Sequence, residues 1–161
     1  MKDKISITLE ERLMRAIDVM RGDVPRSKFI ENHLKASTGF FEALWIFADE
    51  LNRITRREIL TAHVSQPVGK PLYRHEGFIT LQDSSLDFYD KEFIKLFSVP
   101  RSKIKGLTVG YDKDFKRFQH SRGVIPPMHF IFDRKKLYLF TKPVGNQIFR
   151  GENPFLQSQI K

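Results

Sequence analysis

The chain reads as an α+β protein. A short strand and two helices form an N-terminal module that pairs with a second copy. A third helix follows, then a small antiparallel β-rich part with a terminal helix. Three patterns predict this order. Lys4 to Leu9 alternates between polar and apolar residues, the apolar positions of 40–61 recur at helical spacing, and the residues beyond 77 break into short aromatic-rich runs between turn signals.

Within Lys4-Ile5-Ser6-Ile7-Thr8-Leu9, Ile5, Ile7 and Leu9 share one face and Lys4, Ser6 and Thr8 the other, which is the period of a half-buried strand. One short strand cannot satisfy its own backbone donors and acceptors, and no second strand follows it in sequence. Pairing with the same strand of another copy about a two-fold axis solves this and buries the Ile and Leu side chains of both. The polar face of such a two-stranded ribbon fits the major groove of B-DNA, where Lys donates to guanine and Ser or Thr to several base edges. Glu10 to Arg21 then reads as a helix, with Leu13, Ile17 and Met20 on one stripe and Ala16 beside it. Gly22-Asp23 marks its end, since glycine suits the left-handed stop of a helix. Pro25 opens the second helix, where its missing N–H would have no partner anyway, and Phe29, Ile30 and Leu34 face inward. Neither helix is long enough to close a core within one chain, so dimerisation is expected.

Lys4 to Lys35 resembles the ribbon-helix-helix DNA-binding proteins of the Arc/MetJ/CopG type. The match lies in the alternating strand ending at Thr8-Leu9, the acidic Glu10-Glu11 that opens a helix, the apolar Leu13, Ile17 and Met20, the Gly22 turn, and a second helix opening at Arg26-Ser27 with Phe29-Ile30 inward. It covers about a fifth of the chain. The resemblance implies an intertwined homodimer on double-stranded DNA, with Lys4, Ser6 and Thr8 reading bases. It also implies phosphate binding by Lys2, Arg26, Ser27 and Lys28 around the start of the second helix. Pro25 departs from the pattern: it has no N–H, so a phosphate clamp there falls to later amides and Arg26.

Phe40, Leu44, Phe47, Leu51 and Ile54 recur at spacings of four, three, four and three, which predicts a third helix over Phe40 to Thr61. Val64 to Leu72 holds two Pro and one Gly and reads as a linker. Beyond it, Phe78–Leu81, Leu86–Tyr89, Phe93–Phe97 and Ile104–Tyr111 read as strands, and Met128–Phe132 with Leu137–Thr141 as a hairpin around Asp133–Lys136. Asn153 to Ile160 reads as a helix that covers the sheet. The expected organisation is a DNA-binding and dimerisation module at 1–36, a connecting amphipathic helix at 37–63, a linker at 64–76 and a β-rich ligand- or partner-binding domain at 77–161. Antiparallel strands followed by a terminal helix look like a pleckstrin-homology or GRAM-like roll, or a small barrel, an architectural analogy that no short motif carries.

The chain has 161 residues, no Cys, a net charge of +9 and a pI near 9.9. That excess of cations favours a polyanionic partner. It is unevenly spread: residues 1–35 hold 8 Lys/Arg against 6 Asp/Glu, 36–76 hold 5 against 5, and 77–161 hold 15 against 8. Lys113, Lys116, Arg117, His120 and Arg122, interleaved with Phe115 and Phe118, form the densest cluster and a candidate anion-binding face if Asp112 to Ser121 is helical. The plainer reading is a solvated helix face anchored by two Phe. His33, His63, His75, His120 and His129 never fall at ligand spacing, so neither a metal site nor a cofactor is expected. Nucleophile-elbow and phosphate-loop signatures are absent, which points away from an enzyme.

The function expected is that of a homodimeric, sequence-specific transcriptional regulator on a palindromic or tandem operator. Its β-rich part would sense a ligand or partner. Two alternatives stay open: an antitoxin-type autoregulator, and a dimeric adaptor whose basic C-terminal domain binds anionic lipid or protein. With no Cys, no run of 18 apolar residues and no hydrophobic leader in the first 30 positions, a cytoplasmic, nucleoid-associated location without a membrane span is expected.

Overall fold

The computed structural model of the chain describes residues 6–37, 39–55, 57–58, 71–118, 125–142 and 148–160. Helices α1 (Glu11–Arg21) and α2 (Arg26–Ser37) come first, joined by a turn in which Gly22 sits at φ 54°. Both fall where the apolar stripes and the turn signal put them. Ser6 to Glu10 carries no strand pairing within the single chain.

The seven strands of the described residues form one antiparallel sheet, curled into a half-barrel, in the order β4-β3-β2-β1-β7-β6-β5. They are β1 (Phe40–Phe47), β2 (His75–Leu81), β3 (Ser85–Tyr89), β4 (Lys95–Pro100), β5 (Lys105–Val109), β6 (Met128–Phe132) and β7 (Lys135–Thr141). Helix α3 (Ala48–Asn52) follows β1 directly, and α4 (Pro154–Gln159) ends the described chain. Two meanders, β1–β4 and β5–β7, meet where β1 pairs with β7, Ala43 opposite Thr141 and Phe47 opposite Leu137. Among the described residues no helix is long and apolar enough to cross a membrane.

The centre of the sheet is buried on both faces. Phe41, Ala43 and Trp45 of β1 join Leu137 and Leu139 of β7 in a core with Ile79, Phe88, Phe130 and Leu156. Leu44 and Ile46 join Tyr138 and Phe140 in a second core beneath Leu51, Ile54, Phe115 and Phe149. Helix α4 is fixed to the first face by Asn153, whose Oδ1 accepts the Leu156 N–H at 3.1 Å while its Nδ2 donates to Thr141 Oγ1 at 2.9 Å. The terminal helix over the sheet is therefore as expected, as is the Met128–Thr141 hairpin.

Three expectations need correction. The predicted third helix is a strand over Phe40–Phe47, and only Ala48–Asn52 is helical. A strand covered on both faces is apolar throughout, so positions four and three apart are apolar by default and mimic a helical stripe. The domain limits shift accordingly: β1 is a central strand of the sheet, so the β-rich part includes residues placed in the connecting helix of 37–63. His75 and Glu76, placed in the linker of 64–76, lie in β2. Finally, the helix drawn over Asp112 to Ser121 is a short 3-10 turn at Phe115–Phe118, and 119–124 lie outside the described residues.

Candidate nucleic-acid interface

At the N-terminus the chain leaves apolar side chains in water. Ile17 is buried, but Ile7, Leu13 and Met20 are 56 %, 48 % and 66 % exposed. Leu13, Ile17 and Met20 lie on one stripe of α1, so the part of the stripe that α2 does not cover is bare. Ser6 and Thr8 are exposed, whereas Lys2 and Lys4 lie outside the described residues.

The turn between α1 and α2 is clamped by Asp18. Its Oδ2 accepts from Arg26 Nη2 at 2.5 Å, and its Oδ1 accepts from Arg26 Nε at 3.1 Å and from Arg21 Nε at 2.8 Å. Hydrogen bonds from Arg26 and then Arg21 hold the Asp18 carboxyl well below its usual range, at about 2. Arg26 thus bonds across the turn while its side chain stays 45 % exposed. Lys28 faces Glu31 at 3.3 Å. What the start of α2 presents freely is the exposed Ser27 and the first-turn amides of Arg26, Ser27 and Lys28, where an α-helix leaves its N–H groups without an intrahelical acceptor. Phe29 N–H already bonds Pro25 C=O at 2.9 Å.

Only part of the second basic cluster lies among the described residues. Lys113 and Lys116 are exposed, but nothing described extends their row: His120 and Arg122 lie outside the described residues, as does the side chain of Arg117. Phe115 plugs the second core. The turn that carries it is built on Asp112, which accepts the Phe115 N–H at 2.8 Å and the Tyr138 hydroxyl at 2.9 Å and also faces Lys136. Burial pushes the Asp112 carboxyl up, but Lys136 and these hydrogen bonds outweigh it and hold it below the usual carboxylate range. Burial and the same Asp112 raise the Tyr138 phenol. This network is a structural lock.

No family model, curated protein or solved structure matches the chain. The site therefore stands on its own geometry.

Sequence reasoning does not single out the cations gathered at the β5 and β6–β7 end of the sheet. Lys103, Lys105, Arg134 and Lys135 are all exposed there. Lys103 and Lys105 come to that end only through the β5–β6 register and the Lys103–Asp133 ion pair, so no local pattern reveals them. Among the described residues no three His, Cys, Asp or Glu side chains gather as a metal site would require.

Proposed function

We propose that the chain is a homodimeric, sequence-specific DNA-binding regulator of the ribbon-helix-helix kind. The observation that carries this reading is the bare apolar stripe behind an alternating terminal stretch. Among the described residues Ile7, Leu13 and Met20 stay exposed and Ser6 to Leu9 has no strand partner. A second copy supplies cover and a strand partner at once. The paired stretches then present Lys4, Ser6 and Thr8 twice on one polar ribbon, with dimensions suited to the major groove. Ser27 and the first-turn amides of α2 grip a phosphate, while Arg26 sets the angle between the helices through Asp18. The seven antiparallel strands with a terminal helix support reading the rest as a pleckstrin-homology or GRAM-like roll that senses a ligand or partner.

One observation favours the adaptor reading. The β3–β4 turn and the start of β4 expose Phe93, Ile94 and Leu96, apolar side chains suited to a protein or lipid surface.

The deciding experiment is selection from a random DNA pool with the full chain and with Lys4, Ser6 and Thr8 all changed to Ala. The regulator reading expects one short motif, lost in the triple variant. Affinity should fall on the order of a thousandfold between 50 and 200 mM salt if six or more phosphates are contacted. The reading fails if no motif emerges or the variant selects the same one.

A further inference from the structure

The Phe47 end of the sheet holds a groove of about 550 Å³, a volume within the roughly 300–1,000 Å³ of ligand sites. β1 ends there with Phe47 opposite Leu137, so α3 starts beside the residues that open β7. Asp49 and Glu50 of α3 and Asp114 of the turn after β5 line it, as do Arg134, Lys135 and Lys136 of the β6–β7 hairpin. Three charges of each sign therefore line one cavity. α2 enters the sheet from the opposite end, ahead of Phe40.

Only some of these charges are engaged. Lys136 pairs with Asp112, while Glu50 Oε2 accepts the Phe47 N–H at 2.9 Å and Glu50 Oε1 lies 2.6 Å from His75 Nε2. Asp49 has Arg53 at 3.9 Å, and both are largely exposed. Among the described residues Asp114, Arg134 and Lys135 make no ion pair. Opposite charges that line one cavity without closing on each other leave a place for a molecule that carries both.

The backbone under each charge is fixed. Asp112 accepts the N–H groups of Asp114 and Phe115 at 3.1 and 2.8 Å. Phe132 pairs with Lys135 across a two-residue turn, in which Asp133 and Arg134 sit in the left-handed region at φ 44° and 63°. Glu50 ties α3 back to Phe47 and His75. Groups placed in advance lower the ordering cost of binding. Phe47, with Phe97 and Phe132 at ring distances of 5.8 and 6.4 Å, adds an apolar wall. A simple anion would meet the carboxylates of this groove and a simple cation its Arg and Lys, so neither suits it alone.

We propose that the groove binds a small zwitterion with a free ammonium and a free carboxylate, an α-amino acid or short peptide with an apolar side chain. Arg134 and Lys135 take its carboxylate, Asp49 and Asp114 its ammonium, and Phe47 its side chain. This deepens the reading of the β-rich part as a ligand sensor and rests on that reading alone, independently of DNA selection by the ribbon.

The test follows amide NMR shifts of the full chain during titration with L-phenylalanine and with the tripeptide Gly-Phe-Gly. Each probe is taken to about 10 mM, beyond the range of weak specific binding. Each is repeated with its amine acetylated and with its carboxylate amidated. At least one free probe should saturate, and either block should weaken it about tenfold or more, since each removes a charge-assisted contact. Whichever free probe binds more tightly identifies amino acid or peptide as the source. Arg134→Gly/Lys135→Ala should bind acid and amide alike, and Asp49→Asn/Asp114→Asn should bind amine and acetylated forms alike. Lys91→Ala, which removes an exposed charge outside the groove, should bind as the unmodified chain does. Arg134→Gly relaxes the left-handed turn, so lost binding there does not reflect a lost fold. The proposal is overturned if neither free probe saturates, if a block leaves affinity unchanged, if the groove variants still tell free from blocked probes, or if Lys91→Ala loses as much as they do. Any of these results alongside intact DNA selection leaves the ribbon reading standing, and saturable binding without DNA selection leaves this site standing.

Discussion

Replacing Leu13 and Met20 together by Glu tests the dimer directly. Full burial of a Leu, Ile or Met side chain contributes about 2 kcal/mol. In the single chain Ile7, Leu13 and Met20 remain roughly half to two-thirds exposed, so covering them contributes about 1.0–1.3 kcal/mol each, or about 7 kcal/mol for the six side chains of two copies. Leu13 and Met20 supply about 4 to 5 kcal/mol of that, equivalent to about a thousandfold or more in dimer affinity. Four carboxylates buried in the same seam weaken it further. Within one chain both positions already face water, so the fold should lose no more than about 0.5 kcal/mol. Light scattering coupled to gel filtration at low-micromolar concentration should return a monomer mass for the variant and a dimer mass for the unmodified chain, with unchanged far-ultraviolet circular dichroism. A dimeric variant, or a monomeric unmodified chain, refutes the reasoning.

Asp18→Asn should flatten the acid limb of the stability curve. The folded carboxyl is held at about 2 against an ordinary 3.8, so its contribution is present above about pH 4 and is lost as pH falls toward 2. Urea midpoints measured across that window should change less in the variant than in the parent. Trp45→Ala, in the doubly covered strand at 1 % exposure, should cost about 3–5 kcal/mol in urea unfolding. Gly77→Ala should cost about 3 kcal/mol, because a Cβ there would lie 2.0 Å from the Tyr89 carbonyl oxygen and would force β2 from β3. Arg134→Gly should do the opposite. It relieves about 1–2 kcal/mol of left-handed strain, returns about 0.5–1 kcal/mol in unfolded-chain entropy, and raises the melting temperature by about 2–4 °C.

Local structure is legible in the sequence wherever a segment is finished by its own neighbours. Gly22 stops α1, Asn153 caps α4, and the β6–β7 hairpin closes on itself, so a few adjacent residues suffice to read each. Phe40–Phe47 mimics a helix because its character comes from two layers of distant residues, Leu156 on one side and Phe115 on the other. Burial on both faces erases the alternation that marks a strand. The bond between Arg26 and Asp18 leaves no sign in the sequence, since Asp18 lies across the turn and becomes its partner only once α1 and α2 pack. Lys105 leaves no local signal for the same reason: it lines up with Lys136 only through Ile131 of the strand between them.

The position of β1 also sets a schedule for synthesis. Its partner β7 is made about a hundred residues later, since Ala43 opposes Thr141. At about 5–20 residues per second, the Phe-Phe-Glu-Ala-Leu-Trp-Ile-Phe run stays uncovered on that side for about 5–20 s in a growing chain. Such a run, apolar and strong in β-propensity, is the kind that pairs with copies of itself. Through that interval a newly made chain is open to pairing with copies of itself along this edge. A gene fragment ending near residue 60 strands the same segment permanently, whereas one ending at Ser37 carries none of the sheet-forming sequence.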